Sequence, residues 1–379
     1  VGALAAALEM VAPARLAETW DNVGLLLGDP AAPCARVLAT VDLTGEVLSE
    51  AMDLRANAVV AYHPPIFDPL KRLAASDPRQ RVLLQAASAG IALLSPHTAL
   101  DACRQGVNDW LAEGVAGSWR EVERAKGYEP LRPAMDLPGG EAFKVVVFAP
   151  PEAVPALREA MAEAGAGVIG RYDRCSTAAP VAGTFRGLAG SRPAVGRAGR
   201  VEQVAEERLE MVASRERLGW ALAALRAVHP YETPAFEVHA LAARPSLDEG
   251  QGRLLVLRRP ATAREIAARL RRHLGVRRVE VAAPPGGERA RHERIGLCAG
   301  AGFSLAAEAF ARGATLFLTG EARHHDQLAC TARGATLLLA GHTNTERGYL
   351  PRLCERLAAH VPGAWFTCSR TDRHPLRDA

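Results

Sequence analysis

ARVLATVDLTGEVLSEAMDLRANAVVAY, residues 35–62, decides the fold. Residues 35–43 and 57–62 are apolar, β-branched runs bounded by polar punctuation, the pattern of buried strands. Between them Thr44 to Leu54 carries its apolar residues at helical spacing. A strand, a helix and a second strand in so short a span make a βαβ unit, which implies a parallel sheet. Downstream, after Pro64-Pro65, residues 78–89 are again helical, and IALLS (91–95) is a further strand ending at Pro96. Upstream, Glu9, Arg15 and Glu18 interrupt an apolar N-terminal stretch at helical spacing. That segment reads as an amphipathic helix and not as a signal peptide.

The pattern changes near residue 130. EPLRPAMDLPGGE (129–141) and ARPSLDEGQGR (243–253) read as Pro/Gly-rich connectors. Between them lie a strand (FKVVVFAPP), a helix (151–167), strands at TFRGLAG and RVEQVAEERLEMVA, a helix before HPYET, and a last strand. That β-α-β-β-α-β order is a ferredoxin-like α+β unit. Beyond it the α/β pattern resumes, with a helix at 261–275, strands at RIGLCAG, ATLFLTG and ATLLLAG, and a helix from Gly341 through Leu357. The expected architecture is one split α/β domain, residues 1–135 and 248–379, interrupted by an inserted α+β domain, residues 136–247.

The 379 residues are 49% hydrophobic and 23% charged, an ordinary globular balance. No apolar run reaches the ~18 residues of a membrane span. Net charge is +4, but only three bases are lysines (Lys71, Lys126, Lys144), and the Arg and Ala excess reads as coding bias. The charge therefore does not argue for nucleic acid. Seven scattered cysteines without a C-x-x-C argue against a disulfide framework and a thiolate zinc site, and point to a reducing cytoplasm.

Chemistry is expected at the carboxyl ends of the strands. His63 follows the strand ending at Tyr62. His97 and Asp101 follow the strand ending near Leu94. His342 and Glu346 follow ATLLLA. Glu321, His324, His325 and Asp326 follow LFLTG. Imidazole with carboxylate suits Zn, Fe, Mn, Co or Ni, and His342 and Glu346, spaced i, i+4, reach one point if a helix starts near residue 343. A single strand-end histidine is more often a satisfied structural residue than a ligand; the convergence of four clusters on one sheet edge favours a metal site. CAGAGFS (298–304) is either a backbone cradle for phosphate or a tight turn, and it lacks the Lys-Ser/Thr of a P-loop. The arginines between 271 and 294 read as a solvated face, HPYET (229–233) as a turn, and no G-x-S-x-G supports a serine hydrolase.

Five stretches, ETWDNVGLLLGDP (18–30), AYHPPIFDPLKR (61–72), SPHTALDACRQGVNDWLA (95–112), GEARHHDQLA (320–329) and AGHTNTERGYL (340–350), together resemble the Nif-three-like dinuclear metal-centre family, also labelled GTP cyclohydrolase 1 type 2 homologues. The insert, opening on FKVVVFAPPE and closing on VHPYETPAFEV, is similar to that of the longer bacterial members, which resembles CutA and P-II-like folds. The resemblance implies two divalent metals held by His63, Asp101, His342 and Glu346, with Glu346 bridging, in a toroidal homohexamer capped by the inserts.

One position departs from the bacterial pattern: Tyr62 stands where the first of two paired histidines is expected. Neutral Tyr is a poor ligand for borderline metals. One firm site (His63, Asp101, Glu346) and one weaker site (His342, Glu346) are therefore expected. The resemblance implies a metal-dependent hydrolase of a small, nucleotide-like molecule, with Glu346 and His97 in catalytic roles, His97 orienting Asp101 or moving a proton, and His324 and His325 as supporting contacts. The competing reading is a non-catalytic metal-loaded ring that binds or senses a protein or nucleic-acid partner.

Overall fold

The computed structural model describes residues 1–136, without the Asp136 side chain, and 141–374. It divides into two compact units, one formed by Val1–Ala134 with Ser246–Ala379 and one by Met135–Pro245.

The first unit holds a five-stranded and a six-stranded sheet. The five-stranded sheet runs in the order Gly24–Leu27, Ala92–Ser95, Ala58–Ala61, Arg36–Thr40, Trp365–Cys368. Its last three neighbouring pairs are parallel, with Val37 opposite Ala58, Val60 opposite Leu94 and Trp365 opposite Arg36. The crossover helix Gly45–Asp53 is capped by Thr44, whose hydroxyl accepts from the Val47 backbone N–H. It buries Val47, Leu48 and Ala51 on the sheet. All four residues of Ala58–Ala61 are buried, as a parallel strand covered on both faces requires.

The six-stranded sheet runs Glu280–Ala282, Thr336–Leu339, Leu316–Thr319, Arg291–Leu297, Arg244–Thr262, Gly127–Asp136. Both stretches expected as connectors thus contain strands. Pro and Gly are tolerated because the backbone bends there: Gly250 and Gly252 have φ of +145° and +60°. The buried Arg253 guanidinium donates to Asp109 Oδ1 at 2.5 Å and to the carbonyls of Gly250, Gly252 and Cys103. Asp109 lies on helix Val107–Ala116, so this ion pair ties the chain before the inserted unit to the chain after it.

A second difference concerns residues 341–357, expected as one helix. The structure breaks them into Asn344–Arg347 and Leu350–Ala358. Pro351, which lacks an N–H, sits in the first turn of the second helix, where no intrahelical donor is needed. Gly348 sits so close to the Trp110 ring that a Cβ would lie 2.6 Å from it.

In the second unit an antiparallel four-stranded sheet runs Ser176–Arg186, Val201–Ala213, Phe143–Ala149, Phe236–Ala240. Helices Val154–Glu163 and Leu218–Val228 cover one face, with Val145, Val147, Leu157, Met161, Leu209 and Leu225 in a common core. The strand expected at 184–190 instead starts at Ser176 and ends at Arg186. Among the described residues, no helix is long and apolar enough to cross a membrane.

Candidate metal centre

Each candidate ligand sits just past the end of a buried strand. Parallel pairing continues beyond Ala61, with Tyr62 N–H donating to Thr40 O at 2.9 Å and His63 N–H to Val41 O at 3.0 Å. Consecutive side chains of an extended chain alternate sides. Tyr62 is buried at 1% exposure, while His63 is half-buried. Pro64 and Pro65 then prevent further pairing. On the other sheet, Gly341 takes φ +88°, which turns the chain after Thr336–Leu339 so that His342 and the short helix carrying Glu346 follow at once. At four residues, that helix offers little dipole to hold a carboxylate.

His63, His342 and Glu346 meet: their ligand atoms lie within 4.8 Å of one another. His63 Nε2 is 3.5 Å from Glu346 Oε2, and His342 Nε2 is 3.4 Å from Glu346 Oε1. The remaining ring nitrogens are held from behind, His63 Nδ1 by Asp42 Oδ1 at 2.9 Å and His342 Nδ1 by Glu321 Oε1 at 3.1 Å. Carboxylates in this position set the tautomer and orientation of a ligating imidazole.

The site fits a cation in two independent ways. Glu346 is 3% exposed, and its Oε2 is buried with no well-formed hydrogen bond, faced only by the His63 ring at 3.5 Å; a buried carboxylate so placed needs a positive group beside it, a protonated His63 or a bound cation. Beside it, Gly300 takes φ +60°, and a Cβ there would lie 2.6 Å from Glu346 Oε1 and 3.3 Å from His342 Nε2. The glycine of CAGAGFS therefore leaves open the space around the ligand atoms. Thr345 Oγ accepts from Gly300 N–H at 2.8 Å and holds the loop in place.

Asp101 lies outside this group. Its carboxylate accepts from the Tyr62 hydroxyl at 2.5 Å. Tyr62 therefore pairs with Asp101, and the structure groups His342 with His63 and Glu346 where the sequence suggested two separate sets. Burial, followed by repulsion from Glu346, pushes the Asp101 carboxyl up to about 7 against the stabilising Tyr62 bond. Burial and the Asp101 and Glu346 charges push the Tyr62 phenol well up. For His63, burial opposes protonation, but the Asp42 and Glu346 carboxylates outweigh it and raise the imidazolium to about 10.

His97 does not orient Asp101. Its Nδ1 is 2.8 Å from Asp21 Oδ1, and Asp21 also accepts from the Thr98 N–H at 3.1 Å and from the Thr98 hydroxyl. Burial disfavours the Asp21 charge, but these bonds outweigh it and lower its carboxyl. They also hold His97 at φ +29°, a conformation few non-glycine residues adopt. The His97 and His63 rings are 5.5 Å apart between centroids. His324 and His325 are exposed at the start of helix His324–Ala332, their rings meeting edge to face at 5.7 Å between centroids; it is Glu321 of that motif that reaches the centre.

Asp42 and Asp21 were not read from the sequence, although each is a carboxylate beside a strand end or a quoted motif. Trp20 was also missed. It lines a cavity of about 180 Å³ with Tyr62, His97, Asp101, His342 and Glu346, is 58% exposed, and packs 5.9 Å from the exposed Phe67.

Comparison with known proteins gives a consistent result. The family described as Duf34/NIF3 (NGG1p interacting factor 3) matches residues 1–375. A Mycobacterium tuberculosis protein named GTP cyclohydrolase 1 type 2 homolog is 34% identical over 362 residues, covering 93% of this chain and 90% of the relative. A Bacillus subtilis protein of the same name is 30% identical over 334 residues, covering 88% and 86%. Among solved structures, a Bacillus cereus protein related to NIF3 superposes with a TM-score of 0.72 at 27% identity, covering 99% of this chain and 98% of the other.

Proposed function

The chain belongs to the Duf34/NIF3 family, and on that footing we propose that it is a metal-dependent hydrolase of a small nucleotide-like molecule. The observation that carries the reading is the convergence of His63, His342 and the buried Glu346 carboxylate on one point. These three residues would hold a divalent cation of the Zn, Fe, Mn, Co or Ni group, which when bound supplies Lewis acidity and brings the pKa of water toward neutrality. Asp101 and Tyr62 would serve a second, weaker position.

The chain's own residues do the rest. Asp42 and Glu321 orient His63 and His342. His97, fixed by Asp21, presents its ring at the cavity, where it can take or give a proton. The Tyr62–Asp101 pair holds a proton at the buried end of the cavity. Exposed Trp20, with Phe67 behind it, offers a flat face for a base, since base–aromatic stacking tolerates any planar ring. Arg132 lines the same cavity and suits a phosphate. The reading extends to a homohexameric ring in which the inserted unit acts as a CutA/P-II-like cap.

The second reading is a non-catalytic metal-loaded scaffold, favoured by a family description that names an interacting factor. Elemental analysis of the purified chain, combined with a nucleotide turnover panel before and after chelation, separates the two. Hydrolysis that chelation abolishes and metal restores is expected, with metal content falling severalfold in Glu346→Gln. Turnover that survives chelation, or full occupancy in Glu346→Gln, overturns the proposal; bound metal without turnover of any nucleotide leaves the scaffold reading.

A further inference from the structure

The second unit carries a cavity of its own that the metal-centre reading does not use. It measures about 270 Å³ and lies along strands Ser176–Arg186 and Val201–Ala213, with the segment 191–194 and the HPYET turn completing it. Phe185, Pro193 and Val204 contribute apolar wall.

Two polar groups in it have little besides each other as partners. Glu206 is 9% exposed and lines the cavity, yet no Lys, Arg or His of the described residues forms a salt bridge with it. The Tyr231 hydroxyl, also in the lining, is buried with the Glu206 carboxylate as its one neighbouring polar partner and no well-formed hydrogen bond to any other group of the described residues. Burial, and then the Glu206 carboxylate beside it, push that phenol up to about 12. A buried carboxylate balanced only by a neutral hydroxyl is costly unless a positive ligand completes it.

The surroundings maintain the arrangement. Gly183 faces the carboxylate so closely that a Cβ would collide with Glu206 Oε2. His229, which ends helix Leu218–Val228, donates from Nε2 to Phe148 O at 3.0 Å and accepts at Nδ1 from the Tyr231 N–H at 3.1 Å. The HPYET motif therefore places Tyr231 in the cavity as well as turning the chain. At the exposed rim, Glu232 accepts from the Arg192 N–H at 3.1 Å.

We propose that this cavity binds a small organic cation, an amine on a compact apolar body, with Glu206 as counter-ion and the Tyr231 hydroxyl as a hydrogen-bond acceptor. The ammonium faces the carboxylate and the apolar portion packs on Phe185 and Val204. A neutral molecule of the same shape leaves Glu206 uncompensated, and an anion is repelled by it.

The test is calorimetric titration of the full chain, chelator-treated so that an amine–metal bond at the other site is not read. Benzylammonium at pH 7 is the probe, with benzyl alcohol and benzoate as isosteric controls. Saturable binding of benzylammonium is expected, weakened by about tenfold or more in Glu206→Gln. Benzyl alcohol should bind at least about tenfold more weakly than the amine, and benzoate not at all. Should Glu206→Gln fail to fold, the control series on the unmodified chain carries the test, and Tyr231→Phe, expected to weaken the amine severalfold, adds a second variant. Equal binding of amine and alcohol, absence of saturable binding, or an unchanged affinity in Glu206→Gln would each overturn the proposal. An absence of binding with a subunit stoichiometry that changes in Glu206→Gln would assign the cavity to a second copy of the chain instead.

Discussion

Replacing Gly300 by alanine tests the metal centre more sharply than removing a ligand, because it adds only one carbon. That carbon would sit 2.6 Å from Glu346 Oε1, so the carboxylate must retreat by roughly 0.8 Å to reach ordinary contact at 3.4 Å. Metal–ligand distances tolerate only about 0.2 Å, so Glu346 is lost as a ligand in its present position. Loss of a ligand should cost more than the roughly 10–100-fold seen when only a supporting residue is changed. Alanine at φ +60° adds about 1–2 kcal/mol of backbone strain. Gly90→Ala supplies the control: its φ is +67°, but its Cβ would meet nothing within 4 Å. Both variants should therefore lose a similar small amount of thermal stability when metal-free, a few degrees in Tm. Only Gly300→Ala should lose metal affinity. Zinc or manganese calorimetry on the apo proteins, with elemental analysis after dialysis, reads the difference. Metal affinity in Gly300→Ala within about threefold of the unmodified chain would show that the ion does not depend on Glu346 Oε1 where the structure places it.

Metal binding should release protons. His63 is held up to about 10 in the metal-free site, so at pH 7.5 it carries a proton that ligation must displace, and manganese affinity should rise by about one log unit per pH unit between 6.5 and 8.5; pH-independent affinity in calorimetry would contradict this. Tyr62→His removes the hydroxyl bonded to Asp101 and introduces an imidazole, so stoichiometry after dialysis should rise from nearer one metal per chain toward two, and two equally tight sites in the unmodified protein would refute the assignment of Tyr62. Asp109→Ala strands the Arg253 guanidinium, 1% exposed, without its counter-ion. Urea unfolding should show a loss of about 3–5 kcal/mol, whereas a loss under about 1 kcal/mol would mean the pair behaves as a surface salt bridge.

The alternation of strands and helices and the positions of His63, His97, His342 and Glu346 at strand ends were legible in the linear chain. Hydrophobic periodicity is set by local geometry, two residues per repeat in a strand and 3.6 in a helix, and buried parallel strands declare themselves as unbroken apolar runs such as AVVA. The tertiary structure decided which of those strand-end groups meet. His63 and His342 are brought together across two different sheets, and Asp101, close by in sequence to His97, is bonded instead to Tyr62. The carboxylates behind the imidazoles, Asp42 and Glu321, each lie 21 residues from the histidine they hold. The strands hidden in the Pro/Gly-rich stretches form because a neighbouring strand supplies their hydrogen bonds, a contribution no local window contains. Local propensity is a property of a few consecutive residues. A site is a set of through-space distances, and those exist only after loops have closed and side chains have packed.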